Sequence, residues 1–436
     1  ISGRFPGQIA VVDARHRQIE GFSTAARLHD LSWIPDLAII TAPPHAVTAV
    51  VAEAAERGVP AALVLSGGLG QGPGSIAEAI EAAARAKGMR LVGPCSVGLI
   101  APHARLNASV SAHQPLPGDL ALVSQSGAVA AGLVEWGVSR SIGFSGVVSL
   151  GESLDVDFGD MLDYFATDHR TRAILLYVES IRDARKFMSA ARIAARSKPV
   201  VVVKSGRHVP ATGELDTHVA ALASADAVYD AAFRRAGLLR VRALDELFAA
   251  AETMGRLRAF SGRRLAILTN GGGVGGLAAD SLLDLGGTLA TLSPETRSKL
   301  EVLLPAAWSQ DNPVDILRDA DEARYSAAVE ALLEDANSDA LLVVNVPTAL
   351  SSSTEAALAL THAVERQPRN ARHKPVFAVW LGEEASATEA LAQVHIPNYR
   401  SEADAIRGFM HLVRHGEAQA ALMETPPSLP EDFAVD

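Results

Sequence analysis

The sequence predicts an α/β protein of about three domains built on parallel sheets, and three observations carry that expectation. The chain has 436 residues, several times the usual size of one hydrophobic core. Short β-branched runs alternate with Ala-rich amphipathic segments, the pattern of βαβ units. Two long stretches also repeat each other position by position, which marks a duplicated unit.

The elements follow in order. Residues 1–12 read as a loop feeding a strand that ends in Ile9-Ala-Val-Val12. Leu37-Ala-Ile-Ile40 is a strand, followed by a helix from about His45 to Arg57, the strand Ala61-Ala-Leu-Val-Leu65, a helix over roughly 75–87 and the strand Arg90-Leu-Val92. Pro115-Leu-Pro-Gly118 marks a first boundary. A second lies near Phe260-Ser-Gly-Arg263, where a helical stretch beginning at Ala243 ends. Domains are therefore expected at 1–116, 117–258 and 262–420, with 421–436 a proline-rich linker. The missing initiator methionine and the trailing linker point to a fragment trimmed at both ends.

The duplication spans the second and third domains. Leu120-Ala-Leu-Val-Ser-Gln-Ser-Gly127 lies against Leu265-Ala-Ile-Leu-Thr-Asn-Gly-Gly272, and Ala173-Ile-Leu-Leu-Tyr-Val178 against Ala340-Leu-Leu-Val-Val-Asn345. Lys198-Pro-Val-Val-Val-Val-Lys-Ser-Gly206 matches Lys374-Pro-Val-Phe-Ala-Val-Trp-Leu-Gly382.

Composition removes several function classes. A formal charge of -11 repels polyphosphate backbones, and 5% aromatics leave little surface for base stacking, so nucleic acid is not an expected partner. No apolar run approaches the ~20 residues that span a bilayer. The single cysteine, Cys95, forms no internal disulfide and no multi-cysteine zinc site, so the expectations are a reducing, cytoplasmic setting and no metal.

In each repeat a buried strand enters a small polar turn and then a helix: Ser124, Gln125, Ser126 and Gly127 in the first, Thr269, Asn270, Gly271, Gly272 and Gly273 in the second. Open backbone amides at a helix start form an anion site at the carboxyl end of a parallel sheet. One such turn is more often only a turn; two at matching positions shift the reading toward an anion held between two helix ends. A hydrolase elbow around Ser126 ranks third, because Ser124 stands where that motif needs glycine. His218 follows a strand and a polar loop near this site, where a neutral imidazole is a competent nucleophile toward phosphorus. Glu179 ends the strand Ile174–Val178 and is replaced in the second repeat by Val346. A carboxylate restricted to the repeat that carries His218 suits a group orienting the imidazole, although an ordinary carboxylate at a loop entrance would look the same.

These residues resemble the NDP-forming acyl-CoA synthetases, relatives of succinyl-CoA synthetase. The resemblance rests on Lys204-Ser-Gly-Arg207 with Thr217–Gly237, Gly93-Pro94 with Gly98, Ser124-Gln-Ser-Gly127, Asp155-Val-Asp-Phe-Gly-Asp160, Asn312-Pro-Val-Asp315 and Pro347-Thr-Ala-Leu350. It implies a Rossmann-like CoA-binding domain followed by two flavodoxin-like, doubly wound ligase domains. By resemblance, acyl-CoA and phosphate give an acyl phosphate, His218 takes the phosphoryl group with Glu179 steadying it, and ADP receives it to make ATP. The two polar turns would hold the phosphate. CoA would lie against Thr41, Ala42, Pro43, Pro44, Ser66, Gly67 and Gly68, its thiol reaching toward Gly93 and Pro94.

Three departures from the family are visible. Its first strand and glycine-rich loop are absent from the start of the chain. Gly93-Pro-Cys95-Ser96 stands where Gly-Pro-Asn-Cys is usual. No nucleotide-binding ATP-grasp domain follows Asp436, and neither turn carries the lysine of a Walker loop. The resemblance therefore implies an alpha-type part that needs an ATP-grasp domain or beta-type subunit to use ADP/ATP with Mg2+, in a homo- or hetero-oligomer. The ending, Phe409–Arg414 with Leu422–Pro430, also resembles bacterial fusions to a lysine acetyltransferase, which implies an alternative role as an acyl-CoA or effector-sensing regulatory module.

Overall fold

The computed structural model describes residues 5–207, 226–257, 260, 262–367, 374–382 and 385–423. The chain divides into two compact units, Ile1–Leu247 and Phe248–Asp436.

The first unit begins with a small sheet of β1 (Val11–Val12), β2 (Gln18–Ile19) and β3 (Phe22–Ala25). A parallel sheet of β4 (Ala38–Ile40), β5 (Ala61–Val64) and β6 (Arg90–Val92) follows, with helices α1 (Pro44–Glu56) and α2 (Ile76–Arg85) as the crossovers. These are the strands and helices expected from the periodicity. α1 starts on Pro44, whose missing N–H is no loss at the first helical turn. α2 starts at Ser75, whose hydroxyl accepts the Glu78 amide at 3.1 Å. Val47, Val51 and Ala54 of α1, Ile80 and Ala84 of α2 and Ala62, Val64 and Leu91 of the strands close into one core.

The next sheet has seven strands in the order β13-β12-β11-β9-β10-β7-β8. They are β7 (Gly98–Ala101), β8 (Leu106–Ser109), β9 (Pro117–Ser124), β10 (Phe144–Ser149), β11 (Ala173–Val178), β12 (Val200–Lys204) and β13 (Leu239–Val241). The last five are parallel and follow the doubly wound order 2-1-3-4-5, with a switch point between β9 and β11. Leu120–Val123, Ile174–Leu176 and Val200–Val202 are fully buried, as continuous apolar runs covered on both faces require. β7 and β8 fall within the expected 1–116 segment, yet they extend this second sheet: β7 runs antiparallel to β10, and β8 to β7.

The second unit repeats the architecture. β14 (Arg264–Thr269), β17 (Ala340–Asn345), β18 (Val376–Trp380) and β19 (Asn398–Tyr399) correspond to β9, β11, β12 and β13. Two short strands, β15 (Thr288–Leu289) and β16 (Val314–Asp315), pair with opposite ends of β14 where β10 pairs with β9. The duplication read from the sequence is therefore also a duplication of strand order.

Candidate functional site

The loops at the carboxyl ends of the parallel strands carry nearly every residue singled out by sequence. In the first sheet the loops after β4 and β5 are tied together, because Ser66 Oγ donates to the Ala42 carbonyl at 2.5 Å. Thr41, Pro43 and Pro44 are exposed, and Gly68 is exposed with φ +72, leaving a surface lined mainly by backbone. Such a surface admits close backbone approach by a ligand rather than contact with charged side chains. The third loop, Gly93–Val97, stands beside them: the Cys95 amide donates to the Ser66 carbonyl at 2.9 Å. Cys95 is exposed. Partial desolvation, then the Glu152 and Glu179 carboxylates, push its thiol up, so it stays protonated at neutral pH.

The Gly93–Cys95 loop is bound along its length to residues 150–154. The Glu152 amide donates to the Pro94 carbonyl at 3.0 Å and the Leu154 amide to the Gly93 carbonyl at 3.0 Å. Gly151, at φ +56, passes so close that a Cβ would strike the Pro94 carbonyl oxygen. Ser96 Oγ donates to the Ser149 carbonyl at 2.5 Å. The first domain's third loop is thus joined to the edge of the next sheet.

At the switch point, β9 delivers Ser124 and α3 (Gly127–Ser139) begins one turn later. Ser124 Oγ donates to the Ser126 carbonyl at 2.7 Å and takes the Ser126 amide at 3.1 Å, which shapes the turn; Ser126 then caps α3. Gly127 has no room for a side chain, since a Cβ would collide with Val97. Gln125 is buried and points across to β11, where its Oε1 accepts the Glu179 amide at 2.7 Å and the Ser180 amide at 3.0 Å. Its Nε2 reaches Ser153 Oγ at 3.4 Å. The backbone of Glu179 is therefore stapled to the anion turn by Gln125. Gln125, expected as a phosphate-binding residue, makes this staple with its side chain.

The second unit reproduces the arrangement. Thr269 Oγ1 donates to the Gly271 carbonyl at 3.2 Å and accepts the Gly271 amide at 3.0 Å. Asn270 holds Val346 by both backbone groups, accepting its amide at 2.7 Å and donating to its carbonyl at 2.8 Å. Asn270 thus repeats Gln125, and Val346 repeats Glu179. One difference lies at the helix start: Gly272, in the first turn of the helix Gly272–Asp284, would place a Cβ 2.6 Å from Asp315 Oδ2. A carboxylate already stands against that helix start.

The segment Asp155–Asp160 forms a clasp. Asp155 accepts from Arg90 Nε at 2.9 Å and from the Leu91 amide at 2.8 Å. Asp157 and Asp160 form a reciprocal cap on α4 (Phe158–Thr167), and Lys186 contacts both, at 3.0 and 2.5 Å. Burial alone would raise the Asp160 carboxyl, but Lys186, the Asp157 amide and Arg90 outweigh it and hold the group at about 2.

Sequence reasoning missed the 150–154 segment, whose glycine needs a positive φ that no periodicity reveals. His218 lies outside the described residues.

Comparison with known proteins agrees with this layout. Family models match in chain order: a CoA binding domain over residues 5–102, a succinyl-CoA ligase-like flavodoxin domain over 117–254 and a ligase-CoA domain over 265–407. ADP-forming acetate–CoA ligase I of Archaeoglobus fulgidus is 36% identical over 421 residues, covering 95% of this chain and 60% of that protein. The alpha subunit of ADP-forming acetate–CoA ligase II of Pyrococcus furiosus is 33% identical over 424 residues, with 94% of this chain and 90% of that subunit covered. The structure of Ca. Korarchaeum cryptofilum dinucleotide-forming acetyl-coenzyme A synthetase 1 with phosphate and ADP matches at a TM-score of 0.89 and 29% identity, over 97% of this chain and 91% of that one. None of these supports the expected acetyltransferase fusion. With its three matched domains in this order, the chain belongs to the ADP-forming acetate–CoA ligases and corresponds to their alpha subunit.

Proposed function

We propose that the chain carries out the acyl-CoA and phosphohistidine half of a reversible synthetase, with an ATP-grasp domain or beta-type subunit supplying the nucleotide half. In the proposed reaction a phosphate oxygen attacks the thioester carbonyl, CoA leaves as thiolate and takes up a proton, and an acyl phosphate forms. The His218 imidazole then attacks phosphorus, the carboxylate leaves, and the phosphoryl group passes to ADP. Mg2+ accompanies the nucleotide in the partner region, and the setting is the cytoplasm. The domain limits proposed are 1–116, 117–258 and 262–420.

One observation carries the reading: Gln125 draws the Glu179 backbone against the Ser124–Gly127 turn at the switch point, so a carboxylate and a helix start share one sheet edge. Phosphoryl transfer depends mostly on positioning and charge stabilisation, which such an edge supplies. The Ser124, Gln125, Ser126 and Gly127 turn would hold phosphate through its helix-start amides and the Ser126 hydroxyl, with Ser124 and Gln125 shaping it, and Glu179 would orient the imidazole. In the second unit the Thr269–Gly273 turn is proposed as a phosphate-binding turn of its own, with Asp315 standing against its helix start.

The test is phosphorylation of His218 by acetyl-CoA and inorganic phosphate without nucleotide. An acid-labile, alkali-stable adduct seen by neutral mass spectrometry and lost in His218→Asn is the expected result. Glu179→Gln should slow its formation by about 10²–10⁴-fold, as for a positioned acid–base partner. Unmodified His218 despite demonstrated acyl-CoA binding would replace this reading with the regulatory module.

A further inference from the structure

Residues 150–154 join two parts of the proposed site. On one side their amides bind the Gly93–Cys95 loop, Glu152 on the Pro94 carbonyl and Leu154 on the Gly93 carbonyl, both at 3.0 Å. On the other side they meet the loop after β11, which Gln125 holds by the Glu179 and Ser180 amides and in which Arg182 follows. Arg182 stands just before α5 (Ala184–Ser197), whose cap Asp183 accepts the Lys186 amide at 2.9 Å, so its backbone is set at a helix start. Its guanidinium Nη1 donates to two consecutive carbonyls, that of Ser153 at 3.1 Å and that of Leu154 at 3.2 Å.

The backbone held in this way is not relaxed. Ser153 has φ +51 and Cys95 has φ +58, left-handed values that a residue with a side chain keeps only where its surroundings impose them. Two bonds reach Ser153 from outside its own segment: Arg182 Nη1 to its carbonyl, and Gln125 Nε2 to its hydroxyl at 3.4 Å. The charge-assisted and shorter bond from Arg182 is the stronger. The second unit shows that the amide staple does not require such a link. Asn270 is one methylene shorter than Gln125 and places both its groups on Val346. Four residues past the matched strand ends, where the first unit has Arg182, the second has Ala349, and its loop is held by Thr348 Oγ1 on the Arg318 carbonyl at 3.0 Å. The guanidinium is particular to the unit that contains the Gly93–Cys95 loop.

We propose that Arg182 is a positioning residue for the thioester step: it pins residues 150–154, and through them the Gly93–Cys95 loop, to the edge that carries the Ser124–Gly127 turn. The inference rests on the site reading above, in which the thiol end of acyl-CoA lies at that loop and phosphate at that turn. The pin then sets the approach of the attacking phosphate oxygen to the thioester carbonyl. Attack requires the reacting atoms to be close and aligned, so a small displacement of the loop lowers rate more than affinity. Transfer from acyl phosphate to His218 does not use the loop.

The test uses the full chain, follows phosphohistidine at residue 218 by neutral mass spectrometry, and compares two phosphoryl sources. Acetyl-CoA with inorganic phosphate needs the thioester step; acetyl phosphate bypasses it. Arg182→Met should lower the maximal rate from acetyl-CoA and phosphate about tenfold or more, with half-saturating concentrations unchanged and the acetyl phosphate rate within about twofold of wild type. Arg182→Lys should restore most of the lost rate, because an ammonium can serve two carbonyls, as Lys198 Nζ does for Phe165 and Asp168. A wild-type rate in folded Arg182→Met would overturn the proposal. So would equal slowing from both sources, which assigns the residue to the histidine step or to general stability, and so would a change confined to half-saturation, which makes it a substrate ligand. If Arg182→Met does not fold, Arg182→Gln is read by the same criteria, and unfolding of both assigns Arg182 to structure and ends the proposal. Absence of phosphohistidine from either source in the unsubstituted chain would instead remove the underlying site reading, so the two failures are distinguishable.

Discussion

Gln125 shows how one side chain can organise a site without touching a substrate. Its Oε1 satisfies two neighbouring amides, those of Glu179 and Ser180, that face the sheet edge where β11 ends. Gln125→Ala leaves both without this acceptor, at a cost of about 1–3 kcal/mol for each that stays buried. The expected outcome is a lower urea midpoint together with slower His218 phosphorylation, since Glu179 loses its anchor. A variant with wild-type stability and rate would show that the staple is dispensable. Gly151 is the second informative residue: at φ +56, with a Cβ directed into the Pro94 carbonyl, it tolerates no side chain. Gly151→Ala should destabilise by about 1–3 kcal/mol through overpacking against backbone, and a melting temperature equal to wild type would refute this. Glu179 was legible in sequence because it breaks a repeat; Gly151 was not, because its backbone angle depends on a partner 57 positions away.

Among the elements, the final helix Glu402–Met423 carries an unusual pair, His411 and His415, one turn apart and both buried. Burial, then Arg414 and Arg407, lower His411 to about 3, and burial lowers His415 to about 4. Both are therefore neutral in the folded chain while the unfolded chain takes up protons near pH 6.5. Their contribution is complete above about pH 6.5 and is lost as the pH falls toward about 4 for His415 and about 3 for His411. Each imidazole costs up to about 1.4 kcal/mol per pH unit in that window. Urea unfolding followed between pH 7 and pH 5 should show this loss, and His411→Leu with His415→Leu should flatten it; equal stability at both pH values would contradict the account. The sequence reading named part of this stretch, Phe409–Arg414, only as a resemblance and assigned no helix to it. The burial of its histidines was not, because a histidine on a helix is usually a surface residue.

At the scale of the whole molecule, the pattern of alternating strands and helices and its internal repeat place every proposed binding turn at the carboxyl edge of a parallel sheet. Neither anion turn carries a phosphate-binding lysine of the Walker type, so the highly purified chain alone should give no steady ATP formation from acetyl-CoA, phosphate and ADP. Adding an ATP-grasp chain of the family should establish it. Sustained turnover by the chain alone would overturn that division of labour. The α/β class, the duplication, the family and the edge on which the chemistry is proposed could all be read from the residues in order, because these depend on local periodicity and on motifs of a few adjacent residues. It took the folded structure to show that Gln125 binds Glu179 and Ser180, that β7 and β8 extend the second sheet, that Asp315 stands against Gly272 and that Lys204 is buried at the end of β12. Those outcomes depend on strand pairing and side-chain direction between residues far apart in the chain, and no period along the sequence encodes them.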